Sequence, residues 1–158
     1  MIQIRSATWL AFLLPVSLLG GALISQYGFG LYPCEMCMWQ RWPHYAAIVL
    51  ALLAFLLRSS PRSILLVVAA ALSILVSGLI GGFHAGVEYG WWEGLTACAT
   101  NLPAGGDLLD SIMNAPLVRC DVAPWSLFGI SLAGYNFLLS AGGAILILVL
   151  AAKGRRSA

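Results

Sequence analysis

Three apolar runs decide what this chain can become. Ala7–Tyr27, Ile64–Phe83 and Leu127–Ala152 are each long enough to cross a bilayer as a helix, which takes roughly 20 residues. A chain inside lipid must satisfy its own backbone polar groups, so runs of this kind are read as helices. A fourth run, Tyr45–Leu57, is short alone and reaches spanning length only if its helix starts back near Cys37–Trp42. Charged residues make up 9% of the chain, against about 25% in soluble domains, so no soluble domain is expected. The expected fold is an all-α membrane protein, an antiparallel four-helix transmembrane bundle. Residues 1–158 form a single domain, with helices at about 7–27, 41–57, 63–83 and 126–152 and loops at about 28–40 and 84–125. The first run follows Arg5 but lacks a convincing A-x-A cleavage site, so it is expected to stay as a helix.

Charge orients the bundle. Arg5, Arg58, Arg62, Lys153, Arg155 and Arg156 fall on one side of such a topology, and only Arg41 and Arg119 on the other. The positive-inside rule puts the first group, with both termini, in the cytoplasm. Five of the six tryptophans, Trp39, Trp42, Trp91, Trp92 and Trp125, then gather at the outer surface as an interfacial belt. The net charge of +2 comes without a basic patch beyond the cytoplasmic flanks, so no nucleic-acid partner is expected.

Two further features concern packing. Ala69, Ser73, Ser77 and Gly81 recur every four residues, a small-residue stripe that lets helices approach closely. Asn136 lies at membrane depth and is expected to face the bundle and hydrogen-bond there. In the second loop, Gly106–Leu117 reads as a short amphipathic helix, with Asp107 as its N-cap and Pro116 at its end.

All four cysteines, Cys34, Cys37, Cys98 and Cys120, lie in the outward loops. Outside the cytoplasm cysteines tend to be oxidised. Cys34 with Cys37 and Cys98 with Cys120 are the natural pairs, although four cysteines formally allow three connectivities. C-x-x-C closes a very small ring and is typical of reactive dithiols, whose thiolates are favoured by a helix N-terminus or a nearby cation. Cys37 stands at the start of the second helix and Arg41 four residues on, which brings them to one face if the helix is regular there. Pro43 complicates that alignment, because proline prefers a helix's first turn. Haem attachment would need histidine after Cys37, where Met38 stands, and zinc would favour a second close ligand pair, which the isolated His44 and His84 do not supply. Two inert staples remain an alternative, opposed by Arg41, since an arginine at membrane depth is costly without a purpose.

The stretch "CEMCMWQRWPH" (Cys34–His44) resembles the signature of the DsbB family of disulfide bond formation proteins: C-x-x-C, then Gln-Arg and a proline where the second helix begins. The likeness runs over the whole chain, through a second cysteine pair to "PWSLFGISLAGYNFL" (Pro124–Leu138). It implies a multi-pass protein of the bacterial inner membrane with both termini cytoplasmic and both cysteine loops periplasmic. It implies a thiol:quinone oxidoreductase that reoxidises a periplasmic DsbA-type thioredoxin-fold oxidase and passes the electrons to the membrane quinone pool, ubiquinone being preferred to menaquinone. No metal or haem is expected. Mapped by motif, Cys98 receives the reduced partner's thiolate, Cys120 next engages Cys34, and Cys37 is freed to give its electrons to quinone. Arg41 supports the thiolate and the reduced ring, and His84 is a further candidate for the quinone pocket. Gln40 is weighed as a carbonyl donor against a packing role. Glu35, inside the small ring, would disfavour a neighbouring thiolate. The loop between Cys98 and Cys120 is somewhat shorter than is common in the family. The vitamin K epoxide reductase family shares the ingredients, but its C-x-x-C follows the loop pair instead of preceding it. A disulfide-stapled scaffold, the remaining alternative, would tolerate loss of Cys37 or Arg41.

Overall fold

The structure is a computed structural model that describes residues 2–95, 99–100 and 117–156. Four helices carry it: α1 (Ile2–Phe29), α2 (Glu35–Leu56), α3 (Ser63–Glu88) and α4 (Leu132–Arg156). Two small hairpins lie between α3 and α4: β1 (Ala99–Thr100) with β2 (Leu117–Val118), and β3 (Ser126–Leu127) with β4 (Ile130–Ser131). The helices form an antiparallel bundle in which each packs on its sequence neighbours and α4 closes the ring against α1. Spans within α1, α3 and α4 are long and apolar enough to cross a membrane. The 22 residues of α2 reach about 33 Å, but its first two turns carry Glu35 and Arg41.

The bundle inverts the size order of a soluble core. Nine of the twelve residues in its largest buried cluster are alanine, Ala47, Ala51 and Ala70 among them. Large apolar side chains such as Leu56, Leu65 and Leu79 point outward. Lipid gives helices no hydrophobic reason to associate, so close backbone approach through small residues supplies the packing. The stripe on α3 works this way. A Cβ on Gly81 would sit 2.9 Å from the Ala133 carbonyl oxygen of α4 and 3.1 Å from Gln40 Oε1 of α2.

α1 starts at Ile2 and α4 ends at Arg156, each beyond the expected 7 and 152, and three further boundaries differ in ways that bear on the site. α2 begins at Glu35, not near 41, because Cys34 caps it: the Cys34 sulfur accepts the Cys37 backbone N–H at 3.2 Å. Pro43 therefore lies inside α2, where it withdraws one backbone donor. Two hydroxyls from α3 bond carbonyls around it, Ser77 Oγ to Gln40 O at 2.7 Å and Ser73 Oγ to Pro43 O at 2.8 Å. Neighbouring helices commonly satisfy backbone at a membrane proline in this manner. α3 runs on to Glu88, so His84 is helical and not the first residue of a loop. α4 begins at Leu132 and not at 126, because Phe128 (φ 51°) and Gly129 (φ 77°) turn the chain back between β3 and β4. Positive φ at both central residues makes this a type I′ hairpin. Cys98 and residues 106–116 of the expected amphipathic helix lie outside the described residues.

Candidate functional site at the cysteine end of the bundle

The local fold of α2 builds the site from one turn. Cys34 at the N-cap and Cys37 in the first turn bring their sulfurs to 2.7 Å of each other, with the Cys34 thiol donating. Cys34 is buried, and the chain beyond β2 covers it. Its proton is held tightly: the hydrogen bond to Cys37, and then burial, push the Cys34 thiol from 9.0 up to about 12. In the dithiol form Cys34 is thus the sulfur that keeps its proton. Glu35, at the first helical position, faces the positive end of the α2 dipole, where a carboxylate is stabilising.

Two partners reach Cys34 from elsewhere in the chain. His84 Nε2, from the last turns of α3, lies 3.6 Å from its sulfur. The Cys120 sulfur, two residues past β2, completes a cluster in which the Cys34 and Cys120 sulfurs and a His84 ring nitrogen all lie within 4.8 Å of one another. Cys120 is buried. Ala99 pairs with Val118 across β1 and β2, which fixes the strand leading to Cys120.

Because α2 is continuous through Pro43, Arg41 stands one turn below Cys37. Arg41 is 8% exposed, and its guanidinium donates to Gln26 Oε1 of α1 at 2.6 Å. Cys37, Arg41 and His84 line one cavity of about 260 Å³ between α1, α2, α4 and the end of α3. A second cavity of about 330 Å³ is lined by Cys34, Val118 and Arg119 among others. Cys37 and His84 border both.

Below the sulfurs a buried hydrogen-bond network sets the orientation of His84. Asn136 Oδ1 accepts from Ser140 Oγ at 2.8 Å, and Asn136 Nδ2 donates to Gln40 Oε1 at 2.8 Å. The Gln40 amide nitrogen donates to Met36 O at 3.2 Å and stands 2.9 Å from His84 Nδ1. With the amide so oriented, His84 Nδ1 must accept, and the ring proton of neutral His84 sits on Nε2, facing the sulfur. Asn136 thus faces the bundle and bonds there, while Gln40 fixes the tautomer of His84. Two residues that sequence reasoning left unused also line the cavity: His44, 3.0 Å from Asn136 Oδ1, and Glu88. His44 is legible as one turn beyond Gln40 on α2, and Glu88 as one turn beyond His84 once α3 is known to continue.

The cavity suits a quinone head group by a test on its own atoms. Its lining is mostly apolar, and among the described residues the buried side-chain atoms without a hydrogen-bond partner are His44 Nδ1 and Glu88 Oε2. Both residues face the cavity. Buried polar atoms are normally paired. Both orphans are acceptors, since His44 Nε2 donates to Asn136 Oδ1, so they suit the hydroxyls of a reduced ring, while the Arg41 guanidinium and His84 Nε2–H supply donors for the oxygens of an oxidised one.

The family profile described as "Disulfide bond formation protein DsbB" matches residues 4–150. A disulfide bond formation protein B of Verminephrobacter eiseniae is 32% identical over 154 residues, covering 90% of this chain and 83% of that protein. One from a Polaromonas species is 30% identical over 148 residues, with 85% and 83% covered. An uncharacterised protein of Rickettsia prowazekii is 27% identical over 127 residues, with 77% and 73% covered. No solved structure matches the chain. Four bundled helices, a C-x-x-C cap and a profile match spanning nearly all of it lead to one conclusion: this is a multi-pass membrane protein that belongs to the DsbB family of disulfide bond formation proteins.

Proposed function

We propose that this chain is a thiol:quinone oxidoreductase that reoxidises a periplasmic DsbA-type dithiol oxidase, with both termini in the cytoplasm. The observation that carries the reading is the placement of Cys37, Arg41 and His84 around one cavity while the Cys120 sulfur stands beside Cys34. Each transfer is attack of a thiolate on a disulfide sulfur. The reduced partner attacks Cys98 of a Cys98–Cys120 disulfide, a pairing supported by Ala99 lying opposite Val118. The freed Cys120 then attacks Cys34. The Cys34–Cys37 bond breaks and Cys37 leaves as a thiolate at the head of α2, on the cavity side. When bound, a quinone supplies the two-electron, two-proton acceptor that a strongly oxidising dithiol requires. Arg41 would hold the ring and stabilise negative charge on it, and His84 would donate through Nε2. Ubiquinone is the preferred acceptor in this reading.

The test is direct. Purified protein mixed with reduced DsbA and ubiquinone-1 should bleach the quinone absorbance in a thiol-dependent way, and Cys37→Ser should abolish it. A folded wild-type protein that reduces no ubiquinone-1 and no menaquinone analogue would sink the proposal.

A further inference from the structure

Thiol exchange at this site moves protons as well as electrons, and the chain contains a group placed to carry one. Glu88 lies on α3 one turn beyond His84, with its side chain 3% exposed. Its Oε1 is 3.7 Å from His84 Nε2, while Oε2 has no hydrogen-bond partner. It is the one carboxylate among the described residues that line the cavity. The Ser131 side chain of β4 hydrogen-bonds the carboxylate, yet Oε2 stays unpaired, and a buried carboxylate with an unmade hydrogen bond is costly.

In its neutral form His84 serves here as a donor. Its Nδ1 accepts from Gln40, so gaining a second ring proton would set an N–H against the Gln40 amide nitrogen. Nε2–H is instead a donor that faces both the Cys34 sulfur and the Glu88 carboxylate. The titratable or charged groups around Glu88 are His84 on its own helix, Cys34 and Cys37 at the start of α2, and Cys120 after β2. Arg41, His44, Tyr32 and Tyr135 share the cavity with it.

We propose that Glu88 is the proton carrier between the thiol cluster and the quinone cavity. This rests on the function proposed above. When Cys120 attacks Cys34, a Cys120–Cys34 bond forms and the Cys34–Cys37 bond breaks. Cys120, released from Cys98 as a thiolate and protonated from bulk water, gives that proton to the Glu88 carboxylate as it attacks, and Cys37 leaves as a thiolate. Charge is conserved, because one anion replaces another. Once Cys98 attacks Cys120, the Cys98–Cys120 bond re-forms and Cys34 is freed. The Cys34 and Cys37 sulfurs then rejoin with loss of one electron pair, for which a quinone held beside Arg41 would be the acceptor. Glu88, now a carboxylic acid, would give its proton into the cavity and return to a carboxylate facing His84 Nε2–H. The second proton that the quinone gains as it is reduced comes from the second partner thiol, by way of bulk water.

The experiment uses full-length protein in detergent. Infrared difference spectra are taken without quinone, as dithiothreitol reduces the disulfides. Wild type should show a protonated-carboxyl C=O band on reduction, and Glu88→Gln should lack it. With reduced DsbA and ubiquinone-1, Glu88→Gln should turn over about 100-fold more slowly, as for loss of a general acid–base group. Its rate should climb with rising pH as Cys120 ionises unaided, which a merely structural residue would not produce. Should Glu88→Gln fail to fold, Glu88→Asp decides: it keeps a redox-linked carboxyl band if the inference holds. A band that persists in folded Glu88→Gln, a Glu88→Gln that turns over like wild type, or a folded Glu88→Asp without the band overturns the proposal. The band is read without quinone, so its absence in wild type overturns this inference alone. Failure of wild type to reduce any quinone overturns the reading beneath it.

Discussion

Two cysteines three residues apart carry different chemistry because one caps a helix and the other belongs to it. Cys34 is buried, donates to Cys37, and holds its proton up to about 12. The sign follows from the raised value: the folded, reduced protein binds this proton more tightly than a free thiol would. That contribution to stability is complete below 9.0 and is lost as pH climbs through about 12. Reduced protein treated with iodoacetamide between pH 7 and 9 should therefore be labelled at Cys37 well before Cys34, as peptide mass spectrometry would report. Equal labelling would contradict the assignment. Arg41 makes the second residue-scale prediction. Arg41→Ala should raise KM for ubiquinone-1 by about tenfold, roughly 1.4 kcal/mol. Gln26→Ala should have a smaller effect of the same sign, since it only frees the guanidinium that Gln26 holds. Steady-state kinetics at fixed DsbA concentration measures both. The reactive type of these residues could be read from C-x-x-C followed by Gln-Arg. The partner of Arg41 could not, because Gln26 is 15 residues away on another helix.

At the scale of elements, helix–helix distance is the controlling quantity. Gly81 lets α3 approach the Ala133 carbonyl of α4 and the Gln40 side chain of α2. Gly81→Ala should lower stability by about 1–3 kcal/mol through overpacking. Gly142→Ala, on α4 with nothing within 4 Å of its Cβ position, should be neutral or stabilising by up to about 1 kcal/mol, the propensity difference alone. Denaturation followed by helicity in mixed detergent separates the two, and a reversed order would show that the interhelical contact is not limiting. The small-residue stripe announced this packing in the sequence. The boundaries of α2, α3 and α4 were less legible. Each depends on a local event that apolar periodicity does not encode: a thiol cap at Cys34, continuation of α3 past a buried histidine, and a type I′ turn at Phe128–Gly129.

For the whole molecule, the orientation proposed from six cationic residues on one side has a simple check. A reporter that works only in the cytoplasm, fused after Ala158, should be active, and one that works only in the periplasm should not. Reversal of that result would place the cysteine end on the wrong side for a secreted partner. The sequence alone determined that the chain is a helical membrane bundle and which sulfurs and cation to examine, because membrane solvation penalises exposed backbone and stray charge so heavily that few arrangements remain. Only the tertiary structure decided that His84, Cys120 and Glu88 meet Cys34 at one end of the bundle, 50 residues or more away along the chain. It also decided that Gln40 and Asn136 set which ring nitrogen of His84 faces the sulfur. Such juxtapositions depend on the rotation and close approach of packed helices, and no local stretch of sequence contains those distances.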